Sequence, residues 1–144
     1  MRLTPGLPLA VLALFCSIAQ AVAAEGDAEA GVKALRLCAA CHSLRPDVNM
    51  SGPSLAGVWG RKAGSLPSFP RYSPALAGSS VTWDEQTLDT WLTGPAGFIP
   101  HNLMTIGGIA DTKARADLIA VLRLAGPNGR ADRRCGQSTG NRRP

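Results

Sequence analysis

The sequence is short of several things that common functional classes require. It has two histidines and four cysteines in 144 residues. Beyond its first two dozen residues, and apart from the close-set group Cys38, Cys41 and His42, the chain offers only His101 and Cys135. A structural zinc site needs a full tetrahedral set of Cys or His at short spacings, so zinc is poorly served. No apolar run reaches the ~20 residues that cross a bilayer. No strand-length run alternates apolar and polar residues, which argues against a sheet and against the βαβ frame of thioredoxin-like redox pairs. Internal repeats are absent as well.

Charge is also scarcer than the totals suggest. From Glu25 onward there are 14 Lys plus Arg against 10 Asp plus Glu. The stretch Gly126 to Pro144 holds five of those Arg and one Asp, which accounts for the whole +4, while Glu25 to Ala125 balances at nine against nine. The pI of 9.5 therefore describes a tail. With several glycines and almost no large apolar residue, residues 126–144 read as a basic disordered tail. It could give weak peripheral contact with an anionic membrane; nucleic acid is not expected as a partner.

What is present begins with a leader. Arg2 is followed by an apolar run from Leu7 to Ile18 and by Ala21-Val22-Ala23 and Val22-Ala23-Ala24, the small-residue pattern of a cleavage site. This predicts a secretory signal peptide over 1–24, its removal, and a periplasmic or otherwise exported protein; the alternative is a retained membrane anchor. Cys16 leaves with the signal. The remaining chain, of about 120 residues, suits one domain over 25–125.

Three helices are expected. Asp27 to Leu37 places Ala28, Gly31, Val32 and Leu35 on one face. Thr82 to Leu92 opens on Thr82-Trp83-Asp84-Glu85, which has the form of a capping box, and stops at Gly94-Pro95. Asp111 to Ala125, capped by Asp111 or Thr112, aligns Leu118, Ile119, Leu122 and Ala125. The stretches 43–80 and 95–110 are rich in Gly, Pro and Ser. So much loop in a small all-α domain needs something to pack against, and a large apolar cofactor is the natural candidate.

Cys38-Ala39-Ala40-Cys41-His42 carries the chemistry. In C-x-x-C-H two thiols at the end of a helix can add to the two vinyl groups of one haem, and the adjacent histidine can then swing beneath the iron. Zinc, a thioredoxin-like pair and a structural disulfide are the rival readings. The export signal favours covalent haem, which is attached outside the cytoplasm.

From this motif onward the chain resembles the soluble class I cytochromes c of mitochondria and bacteria over nearly all of Gly26 to Ala125. The segments that carry the resemblance are Gly52-Pro53-Ser54-Leu55, Gly57-Val58-Trp59-Gly60-Arg61, Phe69, Tyr72-Ser73, Ala75, Val81-Thr82-Trp83, Ile99-Pro100, Met104 and Ala114 to Ala120. The resemblance implies a small cytochrome c fold, with three main helices and long loops wrapped around one haem c bound through Cys38 and Cys41. It makes His42 and Met104 the iron ligands, with Met50 a weaker candidate than Met104. It implies that the Pro53 carbonyl accepts from His42, and that Arg61, Tyr72 and Trp83 hold the inner propionates. The plainer alternatives are a solvated Arg61 and a core Trp83.

Trp91 falls where many relatives have a tyrosine that reaches the methionine sulfur. Leu37, Leu76, Leu103 and Ile106 also depart from the family pattern, and the loss of lysines weakens charge-steered docking. Relatives often have glycine where His101 stands. The function implied is that of a monomeric single-electron carrier, not an enzyme, serving an oxidase, a quinol-oxidising complex or a periplasmic dehydrogenase. A peroxidase-like haem subunit and a gas-binding c-type cytochrome are the alternatives.

Overall fold

A computed structural model describes residues 26–126; the signal 1–24, Cys16, Cys135 and all but the first residue of the tail lie outside the described residues. The described residues form five helices: α1 (Ala28–Leu35), α2 (Pro74–Ala77), α3 (Glu85–Thr93), α4 (Pro95–Phe98) and α5 (Thr112–Leu124). They contain no strand, only one isolated bridge between Lys62 and Thr82, so the fold is all-α.

The three long helices match the expected ones, with shifted ends. α1 is capped by Asp27, whose carboxylate accepts from Glu29 N and Ala30 N. It gives way to tighter turns that continue to His42, with Cys38 N and Ala39 N both donating to Leu35 O and His42 N to Cys38 O. The capping box of α3 is Asp84 with Thr87, not Thr82 with Glu85. The reason lies outside the helix. Trp83 N donates to Arg61 O, Gly60 N donates to Trp83 O, and Thr82 is bridged to Lys62. These bonds hold 82–83 extended, so the first residue free to cap is Asp84. α5 is capped by Asp111, as expected. Two four-residue helices, α2 and α4, add to the three expected; each starts on a proline, a residue pre-shaped for the first helical turn.

α1 crosses α5 at a glycine. A Cβ on Gly31 would press into the Asp117 carbonyl and lie 2.7 Å from Val121 Cγ2, so only hydrogen fits. Asp117, buried on α5, accepts from Asp27 N at 2.6 Å and from Lys113 Nζ, which moors the start of α1. Those bonds, Lys113 first, hold the Asp117 carboxyl below its ordinary value. α5 contributes Leu118, Ile119 and Leu122 to a core shared with Leu88, Trp91 and Leu92 of α3. Arg115 is buried between these helices. Its Nε donates to Asp89 Oδ1 at 2.7 Å, and Nη1 donates to the carbonyls of Ile109 and Ala110. A buried guanidinium so satisfied ties α5 both to α3 and to the end of the loop that precedes it.

Candidate functional site

The turns after α1 place Cys38 inside and Cys41 outside: Cys38 is buried, Cys41 exposed, and both are free thiols. Burial, and then the neighbouring Cys41, push the Cys38 thiol above its ordinary value. No group of three or more His, Cys, Asp or Glu among the described residues could hold a metal ion.

His42 is gripped by the segment that follows it. Gly52 N donates to Cys41 O and Leu55 N to Ser43 O, both at 2.8 Å, laying 52–55 beside 41–43. His42 Nδ1 donates to Pro53 O at 2.7 Å. A carbonyl can only accept, so Nδ1 carries the proton and Nε2 keeps its lone pair. The grip is close enough to need glycine: a Cβ on Gly52 would come within 2.8 Å of Nδ1 and 2.9 Å of Nε2.

Arg61, Tyr72 and Trp83 come together on the adjoining loops. The paired backbone of Arg61 and Trp83 makes them neighbours, and the Arg61 charge acts on Tyr72. Arg61 is half-buried and donates from Nη1 to Ala56 O and from Nη2 to Ser54 O. Among the described residues it has no carboxylate partner. Burial pulls its guanidinium below the ordinary value, with Tyr72 and Asp47 acting the other way. Tyr72 is raised, chiefly by burial, and stands edge-on to Phe69 at 4.9 Å. Trp83 is buried and tilted against Trp91, ring centroids 5.3 Å apart. No hydrogen bond joins the Trp91 indole to the Met104 sulfur among the described residues.

Met104 is partly buried against the same apolar cluster that contains Cys38. It lies in an irregular stretch, where its N–H donates to Asn102 Oδ1 at 2.9 Å. Met50 is 41% exposed. Neither Asn102 nor Arg115 is evident as a site residue in the sequence; the one available signal is an amide side chain two residues before Met104, the spacing of a local side-chain turn.

The donor set fits a haem. Two unpaired thiols, an imidazole whose Nε2 lone pair is left over, a thioether on the same apolar cluster and a half-buried cation without an anion are what an apolar, iron-bearing dicarboxylate requires. An all-α domain built around such a set is a class I c-type cytochrome.

The comparisons agree. Cytochrome c2 iso-2 of Magnetospirillum fulvum is 47% identical over 90 residues, covering 62% of this chain and 93% of that protein. Cytochrome c2 of Rhodoplanes tepidamans is 41% identical over 105 residues, covering 72% and 97%. The solved structure of cytochrome cH from Methylobacterium extorquens is similar with a TM-score of 0.65 and 43% identity, covering 68% of this chain and 98% of that one. No protein-family model matches the chain. The chain belongs to the cytochrome c family. It is an electron carrier rather than an enzyme, serves redox partners, and carries one covalently bound haem c with its iron.

Proposed function

We propose that Cys38 and Cys41 would hold the haem as thioethers, that His42 and Met104 would ligate its iron, and that Pro53, Arg61, Tyr72, Trp83 and Trp91 would line the site. The observation that carries this reading is the 2.7 Å bond from His42 Nδ1 to Pro53 O beside two free thiols. That bond orients the ring, assigns its tautomer and strengthens Nε2 as a donor. Bound haem supplies a one-electron iron couple. Methionine opposite imidazole favours the ferrous form and raises the potential. Arg61 has N–H groups to spare for a propionate, and Tyr72 and Trp83 can add neutral donors. Trp91 backs Trp83 and keeps that wall apolar.

With His42 and Met104 both serving as ligands, the iron would have no open position for oxygen or substrate, which suits electron transfer. The working domain is 25–125, released by a signal over 1–24 into the periplasm or an equivalent compartment and followed by the basic tail 126–144. Among the described residues no helix is long and apolar enough to cross a membrane. The protein acts as a monomer between an oxidase, a quinol-oxidising complex or a periplasmic dehydrogenase.

Leu37, beside Cys38, is 68% exposed, and Leu103, beside Met104, is 73% exposed. Apolar side chains at these two places, with a charge-balanced domain behind them, favour docking through apolar contact, so electron-transfer rates with a partner should change little with salt.

The deciding experiment is the absorption spectrum of the reduced holoprotein with and without carbon monoxide. An unchanged spectrum is expected; rapid carbon monoxide binding means an open iron and removes the two-ligand reading.

A further inference from the structure

The stretch from Pro100 to Gly108 has no regular structure, yet Met104 must sit in one place. Besides the packing of Met104 on the apolar cluster, one side chain among the described residues hydrogen-bonds this stretch to α4. Asn102 Nδ2 donates to Pro95 O at 2.9 Å and to Ile99 O at 2.8 Å, while its Oδ1 accepts from Met104 N at 2.9 Å. Pro95 and Ile99 are the first residue and the C-cap of α4, and both are buried. The Met104 N–H is thus moored to α4 through the Asn102 carboxamide, beside a backbone bond from Asn102 N to Ile99 O at 3.3 Å. Only an amide carries donors and an acceptor on one planar group, so Ser, Asp or Leu could not make all three bonds.

On the other side of Asn102 stands His101, exposed and with φ 62°. That left-handed backbone is uncommon outside glycine, although histidine enters it more readily than most residues. The Asn102 bonds close the turn that holds it there. The loop therefore carries two iron donors, a thioether and an imidazole, with the amide between them.

We infer that Asn102 is the positioning residue for the methionine ligand: it holds Met104 N against α4 and thereby keeps His101 from competing for the iron. The inference rests on Met104 as the ligand proposed above. A loosened loop lets the stronger nitrogen donor exchange in, at the cost of the methionine bond. Asn102→Ala removes all three side-chain bonds, and the net worth of even one should move the ligand equilibrium about fivefold to tenfold toward His101.

The test uses the full holoprotein at one neutral pH and reads two quantities: the ferric charge-transfer band specific to a methionine sulfur on the iron, and the reduction potential. In Asn102→Ala the band should fall with the haem still low-spin and the potential lowered. In His101→Ala, Asn102→Ala the competitor is gone and the band should return. Asn102→Asp keeps the acceptor for Met104 N but loses both donors to α4, so it should also lose the band; it carries the test if Asn102→Ala does not accumulate. Absence of the band from the unmodified protein removes Met104 as ligand. Its presence there, undiminished in the single variants, or its failure to return in the double variant, overturns the role of Asn102. Failure of both single variants to accumulate as holoprotein makes Asn102 a folding residue and overturns it too.

Discussion

The histidine side and the methionine side of this site are held in different ways. His42 ends a run of hydrogen-bonded turns that begins in α1, and its ring is clasped by the backbone of Gly52 and Pro53. Met104 sits in an irregular loop, where its backbone N–H is held by one side chain, Asn102. Backbone clamps resist single substitutions better than a side-chain latch does. The histidine side should therefore be the rigid half of the site and the methionine side the exchangeable half.

The hardest way to break the comparison is to remove what both halves pack around. Cys38→Ala, Cys41→Ala should abolish covalent haem, so that acid–acetone extraction leaves none on the protein. The fold should be lost with it, because a domain of this size with long loops has little core of its own. Native helical content and a cooperative melt in the haem-free double variant would contradict this.

Next in size is Met104→Ala. If the methionine side is exchangeable, His101 should occupy the emptied position, giving a low-spin, bis-histidine-like ferric spectrum and a markedly lower potential. A high-spin spectrum, or a low-spin one that survives the further change His101→Ala, would show that the loop cannot make the exchange.

Gly52→Ala probes the rigid half. The added methyl meets the His42 ring, and overpacking of this kind costs about 1–3 kcal/mol. The denaturation midpoint of the holoprotein should fall while the methionine band is kept. Loss of that band with unchanged stability would reverse the assignment of rigid and exchangeable halves.

The smallest effect concerns the outer mooring of α1. Asp117 is depressed chiefly by Lys113 and by Asp27 N, so it titrates lower folded than unfolded. Its contribution is complete above the unfolded carboxylate value of about 4 and disappears as pH falls through the depressed native one. Asp117→Asn should flatten the acid limb of the stability–pH curve and leave neutral-pH spectra alone. An unchanged acid limb would place the mooring elsewhere.

The C-x-x-C-H motif of the histidine half is legible in the sequence because its residues are close neighbours along the chain, while the contact of His42 with Pro53 comes only from the family resemblance. Cys38, Cys41 and His42 lie within five residues, and Pro53 follows eleven residues after His42. Helix caps were less legible. The residues Thr82 to Glu85 have the form of a capping box, but the pairing of Trp83 with Arg61 and Gly60 moved the start to Asp84 and Thr87. α2 and α4 leave no sequence signal because four residues are too few to show a helical period. Arg115 reads from the sequence as one charge on an amphipathic helix and proves to be a buried tie between α5, α3 and the loop before it.

The sequence by itself determined the covalent chemistry, the all-α class and the order of the helices, since thiol spacing and apolar period are local properties that survive whatever the rest of the chain does. Only the tertiary structure decided which nitrogen of His42 keeps its lone pair, where α3 begins, which charge Arg115 meets and what holds Met104 in place. Each of these depends on partners brought in from elsewhere in the chain, from 7 positions away for Asn102 and Pro95 to 26 for Arg115 and Asp89. A hydrogen bond is fixed by the arrival of a particular atom at a particular distance, and that arrival is a property of packing, not of composition or period.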